Sequence, residues 1–102
     1  MLTIKIPVRA SIKLAIGIIE ASSFAEGLTV ALRGTLKKCP GSTHWHWKRP
    51  GAKGTLEVTL WPQGQVVLLS VQASRDAPWI REILPRLEAA LRAELRGTGC
   101  PE

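Results

Sequence analysis

Thr55-Leu56-Glu57-Val58-Thr59-Leu60-Trp61-Pro62-Gln63-Gly64-Gln65-Val66-Val67-Leu68-Leu69-Ser70-Val71-Gln72 decides the fold. Leu56, Val58 and Leu60 share one parity, while Thr55, Glu57, Thr59 and Trp61 share the other. A period of two predicts a half-buried strand. Pro62-Gln63-Gly64 is turn chemistry, with proline suited to the first central position of a β-turn. Residues 65–72 then return as a second strand. Val66, Val67, Leu68 and Leu69 make it apolar on both parities, which predicts an interior strand that needs cover on both faces.

Working outward from this hairpin, residues 44–48 read as a further strand. Residues 2–8 alternate through Leu2, Ile4, Ile6 and Val8, and Pro7 places that strand at an edge or marks its end. Residues 11–22 fit two templates. Ile12, Leu14, Ile16 and Ile18 share a strand parity, whereas Ile12, Ala15, Ile16 and Ile19 fall at helical spacing with Ser11 as a cap. The helix is the expectation there. From Ser23 a second helix is expected. Ser23 and Glu26 have capping-box spacing, Leu28, Ala31, Leu32 and Leu36 form a stripe, and Lys37 and Lys38 suit the C-terminal end of the dipole. Cys39-Pro40-Gly41 stops it.

Downstream, Asp76 reads as the cap of a last helix, with Ala77 and Pro78 in its first turn. Its apolar face runs through Trp79, Ile80, Ile83, Leu84, Leu87, Leu91 and Leu95, and Pro85 is expected to kink or divide it. The predicted class is α+β: a small antiparallel sheet of about four strands packed against two or three helices, in the order β-α-α-β-β-β-α. One domain spans 1–102, with 97–102 as a frayed tail.

The chain has 102 residues, 45% of them hydrophobic and 22% charged. That is enough for one two-layer core and leaves little room for a deep substrate cleft. The apolar run from Leu14 to Ile19 is bracketed by Lys13 and Glu20, far short of the roughly 20 residues that cross a bilayer. No membrane association and a cytoplasmic location are expected. Two cysteines, Cys39 and Cys100, are too few for a disulfide framework.

The net charge of +6 is unevenly placed. Residues 1–54 hold nine Lys or Arg against Glu20 and Glu26, while residues 55–102 hold five Arg against six acids. Within the basic half, residues 37–53 hold both histidines, two of the four tryptophans and five cations. If 44–48 is extended, His44, His46 and Lys48 point one way and Trp45 and Trp47 the other. Interleaved aromatic rings and cations offer bases a stacking surface and phosphates a counter-charge. The competing reading puts Trp45 and Trp47 in the core and leaves the histidines solvated.

Other chemistries have weaker support. His44 and His46 share one strand face, with Cys39 five residues upstream, but structural zinc sites pair ligands at short spacing on both sides. Cys39, His44 and His46 are therefore only weak metal candidates, and no metal or other cofactor is expected. No nucleophile elbow, Walker loop, paired carboxylates or dinucleotide fingerprint occurs, and Glu57 reads as a cross-strand partner. The sequence points to a non-enzymatic binding module that presents 37–53 to an anionic partner such as nucleic acid. Lys37, Lys38, Trp45, Trp47, Lys48, Arg49 and Lys53 are the contact residues. The alternative is a protein-interaction or homodimerisation module, because a strand apolar on both faces needs cover that helices on one side do not give.

Overall fold

The computed structural model describes residues 2–96. The elements are β1 (Leu2–Pro7), α1 (Ile12–Ala25), β2 (Thr29–Gly34), β3 (Thr43–Lys48), β4 (Leu56–Trp61), β5 (Val66–Val71), a 3-10 turn (Ala73–Arg75) and α2 (Pro78–Glu94). The strands form one antiparallel sheet in the order β1-β5-β4-β3-β2. The class is α+β, as the alternation and helical stripes indicate. The sheet has five strands rather than about four, with one helix instead of two between β1 and the next strand.

That difference lies in residues 23–38. Ser23 does not cap a helix; it is buried in the last turn of α1. Gly27, at φ +79°, ends α1 in the left-handed region, and the amide of Leu28 donates to Ser23 O. Thr29 and Val30 then favour an extended chain, and β2 pairs along β3 with Val30 opposite Trp47 and Arg33 opposite Trp45. The helical spacing of Leu28, Ala31 and Leu32 loses to this pairing, as local propensity does when tertiary contacts oppose it. Between Val30 and Leu32 the register shifts, a bulge that interrupts the regular edge.

The β4–β5 hairpin closes on the Trp61–Val66 pair, with the amide of Gln65 donating to Pro62 O across the turn. Leu56, Val58 and Leu60 face the helices together with Ile6, Val67, Leu69, Val71, Trp45 and Trp47. From α1, Ala15 and Ile19 enter this core; from α2, Ile80, Ile83, Leu87 and Leu91 do. Asp76 does not cap α2. Ala77 is the residue at the cap, Pro78 opens the helix, and Asp76 pairs with Arg81. The helix runs unbroken across Pro85, which is exposed and leaves the carbonyl of Arg81 without its helical donor. The tail at 97–102 lies outside the described residues.

Both helices lie on one face of the sheet. The other, uncovered face carries Lys5, Leu68, Ser70, Glu57, Thr59, His44, His46 and Lys48. Among the described residues no helix is long and apolar enough to cross a membrane.

Candidate functional site

Alternation along β3 sends its side chains to opposite layers. Trp45 and Trp47 point under the helices and are 0% exposed. Their rings stack at 6.5 Å between centroids, Phe24 meets Trp47 edge-on at 5.3 Å, and the indole nitrogen of Trp45 donates to Glu20 Oε2 at 3.0 Å. Arg33 lies over the Trp45 ring and bonds the same carboxylate oxygen. The stacking role expected of Trp45 and Trp47 therefore has no surface to act from. They are core residues.

The five cations of the segment are placed differently. Lys37 and Lys38 lie exposed in the β2–β3 loop, while Lys48, Arg49 and Lys53 gather at the other end of β3. The six residues of β3 separate the two groups by roughly 20 Å. Among the described residues none of these five forms an ion pair, whereas Arg33, Arg75, Arg81, Arg86 and Arg92 each pair with a carboxylate. Lys48 Nζ instead donates to Gly54 O and Thr55 Oγ1, and Arg49 lies 5.6 Å from the Trp79 ring centre. Beside Lys48 is a cleft of about 360 Å³ that also takes in His46, Thr55, Ser74 and Arg75.

At the centre of the uncovered face the other parity of β3 meets β4. His46 is registered opposite Glu57, and His44 opposite Thr59. His44 Nδ1 lies 2.7 Å from Thr59 Oγ1, and its Nε2 lies 3.1 Å from Nε2 of His46. Glu57 Oε1 is 3.5 Å from His44 Nε2 and 4.0 Å from His46 Nε2. The second oxygen of Glu57 accepts from Gln72 Nε2 at 2.7 Å and from Arg75 Nη1 at 3.4 Å. His44 and Glu57 are both buried, at 7% and 9% exposure, although no helix covers them.

Burial holds the pKa of His44 below the usual imidazole value. The neighbouring His46 adds to that effect and the negative Glu57 partly offsets it. His44 is thus neutral near pH 7, and its approach to Glu57 is not a charge pair. A cleft of about 530 Å³ lies over the three residues, walled by Leu32, Leu36, Gln72 and Arg75.

Among the described residues, His44, His46 and Glu57 are the group with metal-ligating atoms gathered together, all within 4.8 Å. Cys39 sits half-buried in the turn before β3 and does not join them; Cys100 lies outside the described residues. Sequence reasoning identified Glu57 only as a cross-strand partner, not as a member of this group. Its parity in the β4 pattern was legible, but only the β3–β4 register puts it beside the histidines. No family model, curated protein or solved structure matches this chain.

Proposed function

We propose that the protein is a non-enzymatic binding module that holds an anionic partner through the cations of residues 37–53, with single-stranded nucleic acid as the partner class tested first. The carrying observation is the imbalance of pairing. Lys37, Lys38, Lys48, Arg49 and Lys53 have no carboxylate partner among the described residues, while Glu20, Glu26, Asp76 and Glu88 are each engaged by an arginine. Unneutralised cations at both ends of one strand give a positive field that a polyanion can span. With Trp45 and Trp47 in the core, this binding rests on charge and is insensitive to base sequence.

Affinity for a single-stranded oligonucleotide is therefore expected to fall steeply with salt. Lys48→Ala combined with Arg49→Ala should reduce the slope of log affinity against log salt by up to about 1.4, from roughly 0.7 per phosphate contact. Titrations of wild type and double variant at several salt concentrations read this directly. Wild-type protein with no salt-sensitive binding to any single- or double-stranded nucleic acid at low ionic strength would end the reading.

A second reading, homodimerisation, is favoured by a separate observation. Ile12, Leu14 and Phe24 on α1, and Val30 and Leu32 on β2, are exposed apolar side chains. Val30 is registered opposite Trp47, which Phe24 meets edge-on, so Phe24 and Val30 stand together at the β2 edge, where a second copy would cover them. Sedimentation at micromolar concentration should then give about twice 11.1 kDa. A monomeric mass at high concentration would remove this reading.

A further inference from the structure

We propose that His44, His46 and Glu57 form a binding site for one divalent first-row transition ion of the zinc class, on the uncovered face of the sheet. The three ligand atoms already form a small triangle, with His44 Nε2 and His46 Nε2 3.1 Å apart and Glu57 Oε1 at 3.5 and 4.0 Å from them. Ligand atoms bound at about 2.0–2.2 Å around a tetrahedral ion stand roughly 3.3–3.6 Å from one another. Side-chain adjustments of a few tenths of an ångström would bring the triangle to that size.

The arrangement of atoms points the same way. His44 Nε2 faces His46 Nε2 and Glu57 Oε1 stands beside both, so two imidazole nitrogens and a carboxylate oxygen converge on one point. A cation between the three atoms uses both lone pairs and the carboxylate oxygen together. The supporting contacts are those that a ligand set needs. Thr59 holds Nδ1 of His44, and Gln72 and Arg75 occupy Oε2 of Glu57, so that Oε1 turns inward. All three ligands stand on paired strands, which fixes their spacing before any ion arrives.

Two imidazoles and one carboxylate suit zinc, cobalt, nickel or copper better than calcium or magnesium, which prefer all-oxygen sets. Three protein ligands leave a position open toward the cleft between Leu32, Leu36 and Gln72. The guanidinium of Arg75, 3.4 Å from Glu57 Oε2, reduces the attraction for a cation. It also makes a small anion or hydroxide the suitable fourth ligand.

The probes are Zn²⁺ and Co²⁺ alone, added to the full chain after chelator treatment, with calorimetry for zinc and visible absorption for cobalt. One ion per chain is expected, with a rise in Tm on saturation. His46→Ala should weaken binding by more than about 100-fold, beyond the 10–100-fold effect of losing a mere supporting contact. Glu57→Gln keeps the side-chain volume and a carbonyl acceptor for Gln72 and Arg75. It should fold normally and still weaken binding at least about 10-fold. Replacing Cys39 and Cys100 together by serine should change nothing. The proposal is overturned if wild type shows no saturable binding tighter than about 1 mM. It is equally overturned if both site variants bind as wild type does, or if the cysteine variant loses the ion. None of these measurements involves an anionic polymer, so the metal site and the anion-binding reading stand or fall separately.

Discussion

Trp45→Ala is expected to destabilise the protein by about 3–5 kcal/mol, the range for truncating a fully buried tryptophan. The indole is 0% exposed, stacks on Trp47 and lies beneath the Arg33 guanidinium. Its removal opens a cavity between sheet and helices and also takes a donor from Glu20, which holds Arg33 and Trp45 through the same oxygen. Domains of this size are stable by only about 5–15 kcal/mol, so the variant should lose a large share of its margin. A urea titration should show the midpoint shift, and Tm should fall by more than about 12 °C. The phenylalanine variants refine the test. Trp45→Phe loses a hydrogen bond to a charged acceptor, worth about 1.5–3 kcal/mol. Trp47→Phe loses none, because the indole nitrogen of Trp47 has no partner. Trp45→Phe should therefore be the less stable of the two. Equal stabilities would remove the Glu20 contact from the account of the core.

Gly54→Ala is the second substitution with a large expected effect, although it adds only one methyl group. Gly54 has φ +105°, a region that side chains other than hydrogen rarely occupy, at a cost of about 1–3 kcal/mol. The added carbon would also lie 2.6 Å from Cβ of Ala77, 3.2 Å from the Arg75 carbonyl oxygen and 3.3 Å from the Trp79 indole nitrogen. Overpacking of that kind adds about 1–3 kcal/mol. Gly51→Ala provides the control. Gly51 shares a positive φ, but its added carbon meets nothing within 4 Å. Chemical denaturation should rank Gly54→Ala well below Gly51→Ala, and equal losses would show that contact with Arg75, Ala77 and Trp79 contributes nothing.

The hairpin at residues 55–72 was legible because its two-residue period is uninterrupted and its turn chemistry unambiguous. The last helix was legible from a stripe that continues over four turns. Residues 29–34 were not. Leu28, Ala31 and Leu32 satisfy a helical spacing by coincidence, and what overrides it is non-local: a left-handed Gly27 and an edge of β3 that awaits a partner. Parity correctly separated Trp45 and Trp47 from His44 and His46. It could not say which side the helices would cover, and that choice decides whether the tryptophans stack on a ligand or fill the core. Glu57 was legible as a cross-strand partner but not as a neighbour of the histidines, because they are eleven and thirteen residues away along the chain. Only strand register brings them together.

The β3–β4 loop is anchored at several points. The Trp79 indole nitrogen donates to Lys53 O at 2.6 Å, the amide of Thr55 donates to Arg75 O, and Lys48 Nζ reaches back to Gly54 O. A loop that carries two unpaired cations, Arg49 and Lys53, with Lys48 at the strand end before it, is thereby tied to the first turn of α2 and to the turn before it. A loop that becomes ordered only when a partner arrives loses its conformational freedom at that point, and that loss subtracts from affinity. Here part of that freedom is already lost on folding, so under the proposed reading an incoming anion would meet a loop backbone that is held in place. The first turn of α2, which need not touch the ligand, would thus act on how tightly it is held. Trp79→Phe, which removes the indole N–H but keeps a ring beside Arg49, should under that reading loosen the complex through entropy rather than through charge.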